Sequence, residues 1–326
     1  MYPASRGATA RAAAVFSARS DARILSAMPV RVRVPATSAN LGPGFDALGL
    51  ALALHNDVVL EESDRVIVTI EGEGRATLDG GIANVVARGA RMAFEAAGRP
   101  HRGVAIHCVN RIPLSRGLGS SAAAWVGGLV GGNALLGNAI DREGLLALAA
   151  KAEGHPDNVA AALLGGLTVS CAEGEHVRAV AVTVPADIRW VVLVPEIESA
   201  TREARAVLPA EIPRADAVFN VQRVSLLLAA LTAARPDLLR AAMEDRLHQP
   251  YRLRLFPWME RARAAALAAG ALGCVLSGAG PSMLAATLRE ADPLARTLET
   301  ALGEAGLRGR AVALDVDYAG ATCAAL

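Results

Sequence analysis

The segment Arg111–Ala124, RIPLSRGLGSSAAA, constrains the fold most, because it joins a strand, a Gly/Ser loop and a helix of small residues. Gly117 and Gly119 allow the backbone to turn sharply and to approach a bound molecule closely. Successive N–H groups of such a loop form an anion site together with the N-terminus of the next helix. Ser120 and Ser121 add hydroxyls that suit a phosphate or Mg²⁺. The residues alone predict a phosphate-binding loop, with a glycine-rich helix start that serves only packing as the alternative.

The cationic residues exclude two common nucleotide sites. The chain of 326 residues contains a single lysine, Lys151, and Ala152 follows it. A Walker-type loop needs a lysine followed by serine or threonine, and protein kinases need a strand lysine. A phosphate loop in this chain therefore works without a loop lysine.

Composition narrows the class of protein further. Residues 117–140 carry no charge, but their seven glycines, two serines and two asparagines lack the Leu, Ile and Phe density of a membrane span. They predict a helix packed inside a core. A net charge of +1 gives no reason to expect nucleic acid as a partner. Four scattered cysteines predict reduced thiols and a cytoplasmic protein.

Strand and helix patterns alternate without a regular period, which predicts an α+β class and a division near residues 180–190. We expect an extension at 1–27, an N-terminal domain at 28–185 and a C-terminal domain at 186–326. The extension has four arginines and one acid, which resembles a transit peptide. A disordered tail, or a start assigned too early with Met28 as the true first residue, is the interpretation that we favour.

Local signals predict individual elements of the first half. Pro35 should end the first strand, and residues 58–60 and 66–70 should form a hairpin. Residues 84–97 should form a helix. Asp141 should cap the helix that runs to Glu153.

Two further polar motifs carry candidate ligands. PATSANLGPGFD, ending at Asp46, presents Asn40 and Asp46 on a rigid loop that suits an ammonium or hydroxyl ligand, or else forms an Asx-capped turn. EGHPDN places the carboxylates of Glu153 and Asp157 at a break between helices, where they suit Mg²⁺, although Asp157 alternatively caps the next helix. His155 fits a neutral positioned side chain better than a metal ligand, since no second histidine lies at ligand spacing.

The second half of the chain offers two weaker patterns. Arg205, in TREAR, and Arg252, in YR, suit a carboxylate, although surface arginines are common in this sequence. SGAGPS, residues 277–282, predicts a tight loop that approaches a ligand, or a simple hairpin turn.

Together these motifs resemble the GHMP family of small-molecule kinases, which includes galactokinases, homoserine kinases and mevalonate kinases. PLSRGLGSSA, residues 113–122, is similar to the ATP loop of that family. The other four motifs, with TREARAVLP at 201–209, resemble the homoserine kinase branch, in the same order. The resemblance implies a two-domain GHMP-kinase fold. Its N-terminal ATP-binding domain would be ribosomal-protein-S5-like, and its C-terminal domain a ferredoxin-like α/β sandwich. The extension before Met28 is not part of the family pattern.

The resemblance also implies roles for single residues. ATP would bind at Pro113, Leu114, Ser115, Arg116, Gly117, Leu118, Gly119, Ser120, Ser121, Ala122 and Ala123. Mg²⁺ would bind at Ser121 and Glu153, and L-homoserine at Asn40, Asp46, Thr201, Arg205, Arg252 and Gly278. Asn158 would lie near the acceptor hydroxyl, and Asp157 matches an aspartate that some relatives use as a base.

The implied reaction is ATP-dependent phosphorylation of homoserine on the route to threonine, and a homodimer is left open. Two alternatives stay open. One is another acceptor, such as mevalonate or a sugar, and the other is a silent ligand-binding relative.

Overall fold

A computed structural model describes residues 28–326, and the prediction for 1–27 lies outside this range. The strands are β1 (Val30–Ala39), β2 (Leu48–Glu62), β3 (Ile67–Gly72), β4 (Val104–Asn110), β5 (Leu167–Glu173), β6 (His176–Val182), β7 (Arg189–Pro195), β8 (Gly273–Leu276), β9 (Met283–Thr287), β10 (Gly309–Leu314) and β11 (Thr322–Ala325). The helices are α1 (Val85–Ala96), α2 (Ser120–Leu135), α3 (Arg142–Glu153), α4 (Asp157–Leu164), α5 (Thr201–Ala206), α6 (Arg214–Thr232), α7 (Leu239–Ala242), α8 (Gln249–Arg252), α9 (Met259–Ala268) and α10 (Ala291–Gly303).

Two sheets organise these elements. The first has the order β11-β1-β2-β4-β3, and β5 and β6 extend from β2. The second has the order β10-β7-β9-β8. The predicted α+β class is confirmed. The boundary near residue 186 stays a prediction, but the last strand does not follow it, because β11 pairs with β1 in the first sheet.

The uncharged segment forms the buried helix α2, as predicted. Its glycines allow close packing, since a Cβ at Gly128 or Gly132 would collide with backbone carbonyl groups of α1. On the adjoining side, Gly131 lies against the Leu60 side chain of β2. Small residues therefore let α2 pack closely against both a helix and the sheet, which fixes where its N-terminus lies.

Two local predictions are wrong. Pro35 does not end β1, because the strand continues to Ala39 through a register shift between Pro35 and Ala36. A bulge accommodates the missing N–H of proline within a sheet. The predicted hairpin does not form either. β4 lies between β2 and β3, and β3 pairs with β4 in parallel after the crossover through α1.

The predicted helix cap at Asp141 is confirmed, because its side chain accepts a hydrogen bond from the N–H of Gly144. Asn84, which the sequence placed inside its helix, is the N-cap of α1 instead and accepts a hydrogen bond from the N–H of Val86. In residues 28–326, no helix is both long and apolar enough to cross a membrane. The homodimer and the cytoplasmic location stay predictions.

Candidate active site

A polar cleft of about 150 Å³ lies where the Gly/Ser loop, the turn between α3 and α4, helix α5 and the β8–β9 loop meet. It brings together residues from distant parts of the chain. Its lining comprises Asn40, Phe45, Asp46, Pro113, Ser115, Arg116, Gly117, Leu118, Gly119, Ser120, Ser121, Glu153, His155, Asp157, Asn158, Ser199, Thr201, Arg205, Arg252, Gly278 and Ala279.

The Gly/Ser loop turns through left-handed backbone conformations at Ser115, Gly117 and Gly119, where φ is 54°, 71° and 67°. Gly119 is the N-cap of α2, and no side chain in residues 28–326 bonds to that cap. The first N–H groups of α2 are therefore available to an anion at the cleft.

Contacts with the second sheet hold this loop in place. The Ser277 hydroxyl donates to the carbonyl oxygen of Gly117 at 2.7 Å. The guanidinium of Arg116 donates to the carbonyls of Pro195 and Glu196 at 3.0 and 2.8 Å. These hydrogen bonds hold the loop against the ends of β7 and β8.

Ser121 and Glu153, the two residues predicted to bind Mg²⁺, lie side by side next to the loop. The Ser121 hydroxyl donates to Oε2 of Glu153 at 2.7 Å. Burial raises the pKa of the Glu153 carboxyl, and the charge of Asp157 adds to the rise. The Ser121 hydrogen bond and His155 oppose the rise without cancelling it. A half-buried carboxylate beside a hydroxyl suits a hard divalent cation such as Mg²⁺.

Asp157 is the centre of a hydrogen-bond cluster at the start of α4. Its Oδ1 lies 2.6 Å from Nδ1 of His155, and it accepts from the N–H of Asn158 at 2.7 Å. The Asn158 amide nitrogen lies 3.3 Å from the same oxygen. Burial lowers the pKa of His155, but the Asp157 hydrogen bond and the charges of Asp157 and Glu153 raise it overall. The assignment of His155 as a positioned side chain stays a prediction.

Asp46 and Arg205 form a bidentate ion pair across the cleft. The two guanidinium nitrogens lie 3.0 and 2.6 Å from the carboxylate oxygens. One ligand atom each from Asp46, His155 and Asp157 lie within 4.8 Å of one another. The sequence predicted both members of the pair as binding residues, but it did not predict that they bind each other.

Asn40 is less available than the sequence suggested. Its Oδ1 accepts from the N–H of Asp46 at 3.0 Å, and its Nδ2 donates to the carbonyl oxygen of Gly278 at 2.9 Å. The amide is buried and orders the loop that carries Asp46. Asn40 lines the cleft, but its side chain shapes the site through these internal bonds.

Arg252 is buried beneath the cleft and held by the backbone. Nε donates to the carbonyl oxygen of Ala204 at 3.1 Å, and Nη1 donates to that of Gly278 at 3.0 Å. Burial lowers the pKa of Arg252 to about 10, and the positive charge of Arg205 contributes. Two guanidinium groups in one cleft favour an anionic ligand such as a carboxylate.

His248 supports Arg252 from behind. The ring is buried, stacks on Phe45 at 5.3 Å and accepts at Nδ1 from Arg252 at 2.9 Å. Its Nε2 lies 2.8 Å from the carbonyl oxygen of Gly42. This arrangement requires a neutral ring with the proton on Nε2, and burial lowers the pKa of His248 accordingly.

A second, more apolar cavity of about 260 Å³ adjoins the cleft. It shares Ser115, Ser120 and Ser121 with the cleft, so the two spaces meet at the Gly/Ser loop. The rest of its wall comprises Asn56, Val58, Leu78, Asp79, Ala83, Asn84, Val85, Val86, Cys108, Asn110, Leu114, Ala123 and Ala124.

All the predicted metal, catalytic and homoserine-binding residues line the cleft. Of the predicted ATP segment, Leu114 and Ala123 line the adjoining cavity instead, and Ala122 lines neither space because it is buried in the core. The residues missed are Phe45, His248 and the walls of the second cavity. Phe45 lies inside a motif that was recognised, whereas His248 has no local signal.

The chain matches two family profiles in sequence. Residues 84–166 match the GHMP kinases N terminal domain, and residues 227–304 match the GHMP kinases C terminal domain. The first match contains the Gly/Ser loop and the turn between α3 and α4.

Curated relatives and solved structures extend the likeness over most of the chain. The chain is 49% identical to a homoserine kinase of Moorella thermoacetica over 258 residues, which is 79% of this chain and 87% of the relative. It is 42% identical to that of Persephonella marina, covering 90% and 97% of the two chains. The crystal structure of homoserine kinase from Cytophaga hutchinsonii matches with a TM-score of 0.83 and 31% identity, covering 91% and 97%. The chain therefore belongs to the GHMP kinase family, in the branch whose members are named homoserine kinases.

Proposed function

We propose that this kinase transfers the γ-phosphoryl group of ATP to the side-chain hydroxyl of L-homoserine, giving O-phospho-L-homoserine. The observation that carries the proposal is a single cleft with two chemically different ends. One end offers free N–H groups and a Ser–Glu pair, and the other offers two guanidiniums with two carboxylates. A site of this kind suits a polyphosphate facing a small amino acid.

The nucleotide fits the first end and its neighbouring cavity. The N–H groups at the start of α2 would bind the phosphates. The apolar cavity would hold the base, because Leu78, Val86 and Leu114 offer aliphatic surface to a flat ring. The serines shared by the two spaces would lie between base and phosphates. Within the expected ATP segment, this assignment places Leu114 and Ala123 on the side of the base.

The residues present fit Mg²⁺, which neutralises phosphate charge in phosphoryl transfer when it is bound. Glu153 and Ser121 would hold it, since carboxylate and hydroxyl oxygens are ligands of that ion. The raised pKa of Glu153 supports this role, because a nearby cation would relieve the cost of burying its charge.

The homoserine end of the cleft would be oriented by charge. Arg205 and Arg252 would bind the carboxylate, while Asp46 would lie near the ammonium group. Thr201 and Gly278 complete the wall at this end. Fixing both ends of a short molecule leaves its hydroxyl little freedom, and such positioning lowers the barrier of an in-line transfer.

Asn158 would contact the acceptor hydroxyl or the transferred phosphoryl group. Asp157 would position its neighbours, because its Oδ1 already faces three donors from His155 and Asn158. We propose that it orients these two side chains, and a role as the catalytic base is the alternative.

A coupled ADP-release assay tests the proposal with homoserine, mevalonate and galactose as acceptors. The expected result is Mg²⁺-dependent ADP release with homoserine alone. Turnover with mevalonate or galactose instead would give the family reaction a different acceptor. ATP binding without turnover of any acceptor would indicate a silent ligand-binding protein.

A further inference from the structure

Thr37 lies on β1, where it contacts both Leu118 of the Gly/Ser loop and Asn158 of α4. It is fully buried, and it is absent from the cleft lining. Its hydroxyl donates to Oδ1 of Asn158 at 2.7 Å. The two residues are 121 positions apart in sequence, so the contact depends on the tertiary fold.

The hydrogen bond determines which way the Asn158 amide faces. With Oδ1 on the Thr37 hydroxyl, Nδ2 lies 3.3 Å from Oδ1 of Asp157 and donates to it. If the amide were reversed, its oxygen would face the carboxylate oxygen with no proton between them, which is repulsive. Thr37 and Asp157 therefore hold Asn158 from both sides.

This orientation leaves a donor for the reaction. Nδ2 carries two N–H groups, and within residues 28–326 only the one on Asp157 has a protein acceptor. Asn158 lines the cleft, so the second N–H is available to an oxygen bound there. Without the Thr37 hydroxyl, only the weaker 3.3 Å contact with Asp157 would hold the amide in this orientation.

Thr37 also contacts the phosphate loop directly. Its backbone N–H donates to the carbonyl oxygen of Leu118 at 3.1 Å. A Cβ at Gly119 would collide with the Thr37 hydroxyl oxygen, so only glycine lets the loop lie this close. One buried side chain thus touches both the loop that would bind phosphate and the amide that would face the acceptor.

From these contacts we infer that Thr37 is a positioning residue that holds the Asn158 amide nitrogen toward the reacting oxygens and keeps it in register with the phosphate loop. The inference deepens the proposed function and rests on it. Thr37 touches neither substrate, so its effect should appear in turnover and leave binding unchanged.

The test compares Thr37→Val, which keeps the shape and removes the hydroxyl, with Thr37→Ser, which keeps the hydroxyl. We expect kcat of Thr37→Val to fall about ten- to hundred-fold, a cost typical of misplacing one reacting group. The KM values for ATP and homoserine should stay within about twofold. Thr37→Ser should recover kcat to within about threefold of the wild type.

A double-mutant cycle with Asn158→Ala separates positioning from a general structural effect. If Thr37 acts through Asn158, adding Thr37→Val to Asn158→Ala should cost little more, so the two effects should not add. Thr287→Val is the control, because Thr287 is equally buried in the second sheet and its Oγ1 also makes a hydrogen bond. That control should keep kcat unchanged.

Three results would overturn the inference: unchanged kcat in Thr37→Val, an equal loss in both backgrounds, or no recovery in Thr37→Ser. If Thr37→Val does not fold, Thr37→Ala replaces it with the same expectations. If the wild-type protein does not phosphorylate homoserine, the proposed function itself is refuted. If the wild-type protein turns over homoserine and Thr37→Val has the same kcat, only the positioning role is refuted.

Discussion

Arg205 is the best residue for testing how the cleft recognises its acceptor. A guanidinium–carboxylate hydrogen bond contributes about 1.5–3 kcal/mol, and 1.4 kcal/mol is a factor of ten. Arg205→Ala should therefore raise the KM for homoserine about ten- to hundred-fold. The upper end is favoured, because the loss also leaves the Asp46 charge uncompensated beside the carboxylate site.

The same substitution should cost little stability. The side chains of Arg205 and Asp46 are 37% and 35% exposed, and exposed pairs contribute about 0–1 kcal/mol. Thermal unfolding should thus change little while the KM for homoserine rises and the KM for ATP stays constant. Arg205→Lys keeps the charge but not the planar fork, so its KM should be intermediate.

Initial-rate kinetics with each substrate varied in turn, together with a thermal melt, measure these effects. Arg223→Ala is the matched control, since Arg223 also pairs with a carboxylate at 3.2 Å and its side chain is 25% exposed, but it lies outside the cleft. A KM for homoserine within threefold of the wild-type value would refute the assignment of Arg205. An equal rise in Arg223→Ala would also refute it.

Three further predictions test the metal, the loop and the buried histidine. Glu153→Gln should lower kcat at least about hundred-fold and raise the Mg²⁺ concentration for half-maximal rate, whereas Glu175→Gln, on the surface, should do neither. Gly119→Ala should weaken ATP binding measured by calorimetry, because its Cβ would collide with buried β1. Gly137→Ala is the control, because Gly137 has the same left-handed backbone but open space around it. That substitution should cost only about 1–2 kcal/mol of stability. Burial holds the pKa of His248 in the folded protein below its ordinary value of about 6.5. As the pH falls, this imidazole is therefore protonated in the unfolded chain before it is protonated in the folded one. The free energy of unfolding should fall as the pH drops below about 6.5, and it should fall less steeply in His248→Gln.

Residues that act through local sequence could be predicted. The turns at Gly117 and Gly119, the cap at Asp141 and the buried small-residue helix all follow from backbone chemistry within a few positions. The Ser121–Glu153 pair was also expected, since the resemblance places both in one metal site.

Contacts that depend on the tertiary fold could not be predicted in the same way. The Asp46–Arg205 pair joins residues 159 positions apart, and no periodicity in either segment specifies it. The hairpin prediction failed for a related reason. Local pattern identifies β3 as a strand but does not show that β4, reached through a helix, pairs beside it.

The walls of the second cavity were the hardest part of the site to predict from sequence. Val58, Val86 and Cys108 each have the pattern of ordinary core residues, because they alternate with less buried neighbours along a strand or lie on the buried face of a helix. Only their arrangement around the Gly/Ser loop reveals that they line a space beside a phosphate site.

The most direct test of the account is to identify the phosphorylated product. Purified protein is incubated with ATP, Mg²⁺ and homoserine, and the mixture is analysed by mass spectrometry and phosphorus NMR. We expect one new phosphomonoester, on the side-chain oxygen of homoserine, formed in equal amount to ADP. Free phosphate alone, or a phosphoryl group on the homoserine carboxylate or amine, would contradict it.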